Sequence, residues 1–149
     1  MPINDTCEHI VAIVGAVSGI RAGIDPPPGQ LDTGKFPACY VLAEQATDTE
    51  DLGSDMRLET RAYSVHVAVI PKGQVNIVTA QDQVRALIPP VKTALASYPQ
   101  LNAAPLVQNA RVEGDSGVIV LPTYDEKFIG FEVRLSVTEY VKRAYAAYE

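Results

Sequence analysis

The chain has 149 residues, 47% of them apolar and 20% charged, with a formal net charge of −6. That length suits one domain with its own core, and that composition argues against global disorder. The acidic balance disfavours free nucleic-acid binding, which needs a basic face, and no run of about 18 apolar residues marks a transmembrane helix. Met1 to Thr6 lack the basic region of a secretory signal. Cys7 and Cys39 stand in apolar settings without C-x-x-C spacing, so they read as reduced core thiols of a cytosolically made protein.

Asp5 with Glu8 three residues on forms an Asp variant of the capping box and predicts a helix start. Cys7, Ile10, Val14 and Val17 then give one apolar helical face, and Ser18-Gly19 is the expected end. Gly15, Gly19 and Gly23 have the small-residue spacing of membrane helix pairs, but no span exists to use it. Residues 25–35, with three prolines, predict a stiff extended loop. Residues 38–43 predict a strand.

Residues 44–55 carry five acids and no base: Glu44, Asp48, Glu50, Asp51 and Asp55. They read as a solvated loop at a hairpin end. Counted from Asp48, Gly53 and Glu59 fall at the sixth and twelfth positions of a calcium loop. Leu52 stands where an oxygen ligand is needed, and Glu59 falls in a predicted strand where an incoming helix is required.

Residues 56–70 predict a long strand of changing character. Tyr63, Val65, Val67 and Val69 make an apolar face, but Arg57, Glu59 and Arg61 replace it earlier, as in a strand that projects beyond its core. His66 has no second ligand at metal spacing and reads as structural. Thr79 predicts the cap of a second helix, with Val84, Leu87, Ile88, Val91 and Leu95 on its buried face. Pro89-Pro90 should kink it or split it into two short helices, and Tyr98-Pro99 ends it. Residues 106–113 and 118–121 predict strands around the turn 114–117.

Within 124–137 the alternation is strict: Ile129, Phe131, Val133, Leu135 and Val137 against Gly130, Glu132, Arg134 and Ser136. That pattern marks a strand with one face on a core and the other toward solvent or a partner. Residues 1–137 thus read as a single α+β domain, a mainly antiparallel sheet with two helices packed on one face. Residues 138–149 read as a helical tail bearing Tyr140, Tyr145 and Tyr148, expected to dock on the core or on a neighbouring subunit.

Chemistry-bearing patterns are missing from this reading. Neither His9 nor His66 lies near a G-x-S-x-G elbow, no glycine loop is spaced to cradle phosphate, and Cys7 and His9 point to different helical faces. No catalytic, metal or cofactor residue is assigned, and an enzyme is not expected.

The run Ser97-Tyr98-Pro99-Gln100-Leu101 after an amphipathic helix, followed by Tyr124, Gly130, Leu135 and Val137, resembles the tail terminator (tail completion) proteins of long-tailed bacteriophages. Phe36-Pro37-Ala38 entering the first core strand is similar too, whereas Pro89-Pro90 departs from the smooth helix expected there. The resemblance implies a structural virion protein made in the host cytoplasm and sited at the tail or neck. It implies a homohexameric ring, without cofactor, that caps the tail tube, meets tube and head–tail connector proteins, and touches DNA only transiently and non-specifically. Candidate interface residues are then Arg57, Glu59, Arg61, Glu132, Arg134, Tyr140, Tyr145 and Tyr148. The acids Glu44, Asp48, Glu50, Asp51 and Asp55 are candidates for the lumen wall. A head–tail connector, a minor tail subunit and a small-ligand binding module stay open.

Overall fold

The computed structural model describes residues 2–25, 27, 29, 36–51, 56–73, 77–101, 103 and 106–142. In chain order the elements are α1 (Pro2–Gly15), β1 (Ala22–Gly23), β2 (Ala38–Asp51), β3 (Met56–Pro71), α2 (Ile77–Arg85), α3 (Ile88–Ala96), β4 (Val107–Asp115), β5 (Ile119–Val120) and β6 (Phe128–Lys142). The six strands form one sheet in the order β1-β2-β3-β6-β4, with β5 also on β6. Every pairing is antiparallel except the short parallel contact of β1 with β2. The fold is α+β with its helices on one face of a mostly antiparallel sheet, as the sequence led us to expect.

Period-two alternation explains the layering. Tyr63, Val65, Val67 and Val69 of β3 and Ile129, Phe131, Val133, Leu135 and Val137 of β6 turn to the same side. There they meet Cys7, Ile10, Val11 and Val14 of α1 and Val84, Val91 and Leu95 of the α2–α3 pair in one buried cluster. Burial of that face is what holds the sheet closed. Pro89 and Pro90 fall in the first turn of α3, where backbone N–H groups lack intrahelical partners, so they divide the helix without leaving a broken bond.

Close backbone approach fixes two glycines. A side chain at Gly130 would put its Cβ 1.8 Å from the Val67 carbonyl oxygen, opposite the register shift between Ala68 and Ile70. At Gly23 a Cβ would lie 2.7 Å from Val11, and Gly15 packs against the same spot. The Gly15 and Gly23 spacing therefore serves the seating of α1 on β1.

Five expectations are corrected. The helix α1 begins at Pro2, which leaves Asp5 in its first turn; the acid there complements the positive end of the helix dipole. It ends at Gly15, and Gly19 takes its left-handed φ of 99° in the following turns. The second helix begins at Ile77, ahead of Thr79. The acidic stretch is strand up to Asp51, because pairing with β3 through two register shifts overrides the low strand preference of its acids. Finally, β6 continues through 138–142 where a helical tail was expected, since β3 and β4 still offer pairing partners there. Residues 52–55, most of the proline loop and residues 143–149 lie outside the described residues.

A second, smaller core sits on the opposite face at one end of the sheet. Phe36, Tyr40, Ala68, Leu121 and Phe128 form it, with the Phe36 and Phe128 rings edge-on at 5.0 Å. Tyr124 packs edge-on against Tyr40 at 5.5 Å and holds a turn in which Tyr124, Asp125 and Glu126 all have positive φ. Among the described residues, the rest of that face carries no helix.

Candidate functional site

The open face is built from the even positions of β3 and β6. In register, Ser64 faces Arg134 and His66 faces Glu132, while Tyr40 of β2 flanks His66 on the other side. His66 is only 2% exposed. Its Nε2 lies 3.1 Å from Ser64 Oγ and 3.5 Å from Glu132 Oε1, and the Tyr40 ring lies 5.1 Å from the imidazole. Among the described residues its Nδ1 has no hydrogen-bond partner. Burial holds the imidazole down to about 4, so it is neutral at pH 7. Burial also pushes the Glu132 carboxyl up; Glu44 adds to that effect and Arg134 opposes it. Ser64 and Glu132 share one imidazole nitrogen, whereas a nucleophile–base–acid relay needs the acid on the other.

Beyond His66 a row of charges contributed by β2, β6 and β4 crosses the sheet. Arg134 lies 3.3 Å from Glu44 on β2 and 3.9 Å from Glu113 on β4, and Glu113 lies 3.9 Å from Arg111. Such solvent-facing pairs each contribute at most about 1 kcal/mol, so the row adds more surface character than stability. Beside it opens a cleft of about 270 Å³ lined by Glu113, Gly114, Asp115, Ser116, Glu132 and Arg134. Its rim is set by hydrogen bonds. The Glu132 N–H donates to Ser116 Oγ at 2.9 Å, and the Gly117 N–H donates to Asp115 Oδ1 at 2.8 Å. Lys92 reaches the other Asp115 oxygen at 2.9 Å and holds that carboxyl below its usual range.

The candidate interface residues do not form one patch. Arg57, Glu59 and Arg61 occupy the helix-side register of β3, while Glu132, Arg134 and Tyr140 occupy the opposite register of β6. The charged half of β3 does not project alone either, since β2 and β6 flank it on both edges. Glu59 lies 3.4 Å from both Arg57 and Arg61, and Arg61 also donates to the Glu44 carbonyl at 2.7 Å. Of the five acids, Glu44 joins the Arg134 row, and Glu50 is exposed on β2. Asp48 and Asp51 have backbone positions on the same strand, and Asp55, like Tyr145 and Tyr148, lies outside the described residues.

A second polar cluster went unnoticed in the sequence. Glu139 is 2% exposed on the helix side and accepts a hydrogen bond from Thr6 Oγ1 at 2.8 Å and another from the Tyr63 hydroxyl. Burial pushes the Glu139 carboxyl up, against the pull of both hydrogen bonds and of Arg61. The Tyr63 hydroxyl is pushed well up by the same burial, and the nearby Cys7 thiol goes to about 11. The available signal was position: Glu139 continues the odd register of Ile129 to Val137, so an acid stands where the pattern calls for a buried residue.

Among the described residues no group of three or more His, Cys, Asp and Glu side chains is arranged to hold a metal, and no helix is long and apolar enough to cross a membrane. The chain matches no known protein-family model and no curated protein.

Proposed function

We propose that the protein is a structural subunit of a bacteriophage tail, a tail terminator. Its ring closes the head-proximal end of the tail tube, stops tube growth and offers the surface for head–tail joining, with DNA passing through the lumen. Head-to-tail rings need two unlike, complementary patches on each subunit. The observation that supports the reading is two groups of charges on opposite faces of the sheet, Arg57–Glu59–Arg61 on one and the more exposed Glu44–Arg134–Glu113–Arg111 on the other, which are the candidates for those patches. The residues of the resemblance supply the scaffold between them: Gly130 packs backbone to backbone, and Leu101, Leu135 and Val137 are buried. In this reading the exposed Glu50 of β2 faces the lumen, where repulsion of DNA acts within about 8 Å of the wall at physiological salt.

Native mass measurement and imaging of the purified chain test the ring, and addition to growing tail tubes tests the task. Hexameric rings that cap tubes are expected. Rings that never bind tubes but bind portal complexes favour a head–tail connector. The cleft beside Glu132 supports one reading of another class, a small-ligand binding module, which a monomer with ligand-dependent melting would favour over the ring.

A further inference from the structure

Two segments from opposite ends of the described chain meet at one buried carboxylate. Thr6 belongs to α1 and is 0% exposed, Tyr63 belongs to β3 and is 0% exposed, and Glu139 lies near the end of β6. Thr6 Oγ1 donates to one carboxylate oxygen at 2.8 Å and the Tyr63 hydroxyl to the other. Among the described residues, the other groups acting on it are few. Cys7 of α1 acts with it electrostatically, and Asp25 acts on that thiol too. From β3 come Arg61, which favours the charged form, and Glu59, which opposes it and pairs across the sheet with Glu139 itself. Arg57 and Arg61 both hold Glu59. From β4 the cross-strand neighbour is Val107, and the Leu106 carbonyl accepts the Tyr140 N–H. Among the described residues no ion pair neutralises Glu139, although hydroxyl donors satisfy both of its oxygens.

We propose that Glu139 is a proton-operated clasp: with its proton it fastens the first turns of α1 and the end of β6 to the sheet, and on losing it both segments loosen while the sheet centre stays closed. The inference is independent of the ring reading. A buried carboxyl is costly to charge, and a hydroxyl pair can serve it in either state by rotating. Its ordinary range is raised in the fold, so the folded chain keeps this proton to higher pH than the unfolded chain does. The stabilisation is therefore complete below the ordinary carboxylate pKa and is lost as pH rises through the raised value. Local opening should increase by up to about tenfold per pH unit between the two values and level off above the higher one.

Hydrogen exchange of the full chain between pH 5 and 8, corrected for intrinsic rates, tests the clasp. Protection of residues 3–10 and 138–142 should fall with rising pH and then level off, while residues 63–69 keep theirs. Glu139→Gln carries no proton to lose and should make that protection independent of pH. Three results would overturn the proposal: flat protection in the wild type, a pH dependence that survives in the Gln variant, or an equal loss across 63–69. The wild-type series supplies the first and third without any variant, so a poorly folding substitution does not block the decision.

Discussion

The two faces of β6 divide the work of the molecule between neighbouring residues. Phe131, Val133, Leu135 and Val137 are at most 1% exposed beneath the helices. Glu132, Arg134 and Ser136, one step away each, face a surface that no helix covers among the described residues, where charges pair across strands at 3.3 to 3.9 Å. Apolar burial on one side is a large, non-directional term; exposed ion pairs on the other are small, directional and screened. The closed face can therefore hold the fold while the open face changes its chemistry, and that asymmetry suits a protein that works through its surface.

Substitutions on the two faces should separate widely. Phe131→Ala should lower stability by about 3–5 kcal/mol, read from the urea midpoint at unchanged slope. A loss below about 1 kcal/mol would mean the helix-side face is not closed. Gly130→Ala should cost about 3 kcal/mol, because the clash is with the Val67 carbonyl and backbone must move; thermal melting checks it. His66 marks where burial reaches through to the open face. Its folded value is about 4 against an ordinary 6.5, so its contribution is complete above pH 6.5 and is lost as pH falls toward 4. The loss is on the order of 2–3 kcal/mol, and His66→Gln should flatten denaturant stability over that window. An equally steep acid loss in the variant would place the cause elsewhere. Arg134→Ala, on the open face, should change stability by no more than about 0.5 kcal/mol. Its effect, in the ring reading, should show as a lower hexamer fraction in native mass spectra.

The closed face was the legible part of the sequence. Nine residues of strict alternation identified β6, and the apolar stripes at helical spacing identified the helices that cover it, down to the division at Pro89-Pro90. The acids between Glu44 and Asp51 were read as loop because their strand preference is low; what makes them strand is β3 alongside, a tertiary effect that local composition does not carry. The open-face network was hidden for a related reason. His66 and Glu132 become neighbours only through the register of β3 on β6, and nothing local to either residue announces it. Glu139 was the exception, visible in principle as an acid in an apolar register and missed because the alternation was read as ending at Val137.

The central pairing of the sheet also bears on how the molecule comes to be. Tyr63 and Glu139 touch across 76 residues of chain, and all of β3 finds its second neighbour only in β6. During synthesis the β2–β3 hairpin can form early, but it must wait with an open edge until nearly all of the described chain has left the ribosome. Loop-closure entropy on this scale makes such topologies slow to close and exposes them to strand exchange meanwhile. The acids along β2, together with its two irregularities, then protect a half-made sheet as much as a finished one. The newly made chain is accordingly most exposed to strand exchange in the interval before β6 pairs with β3.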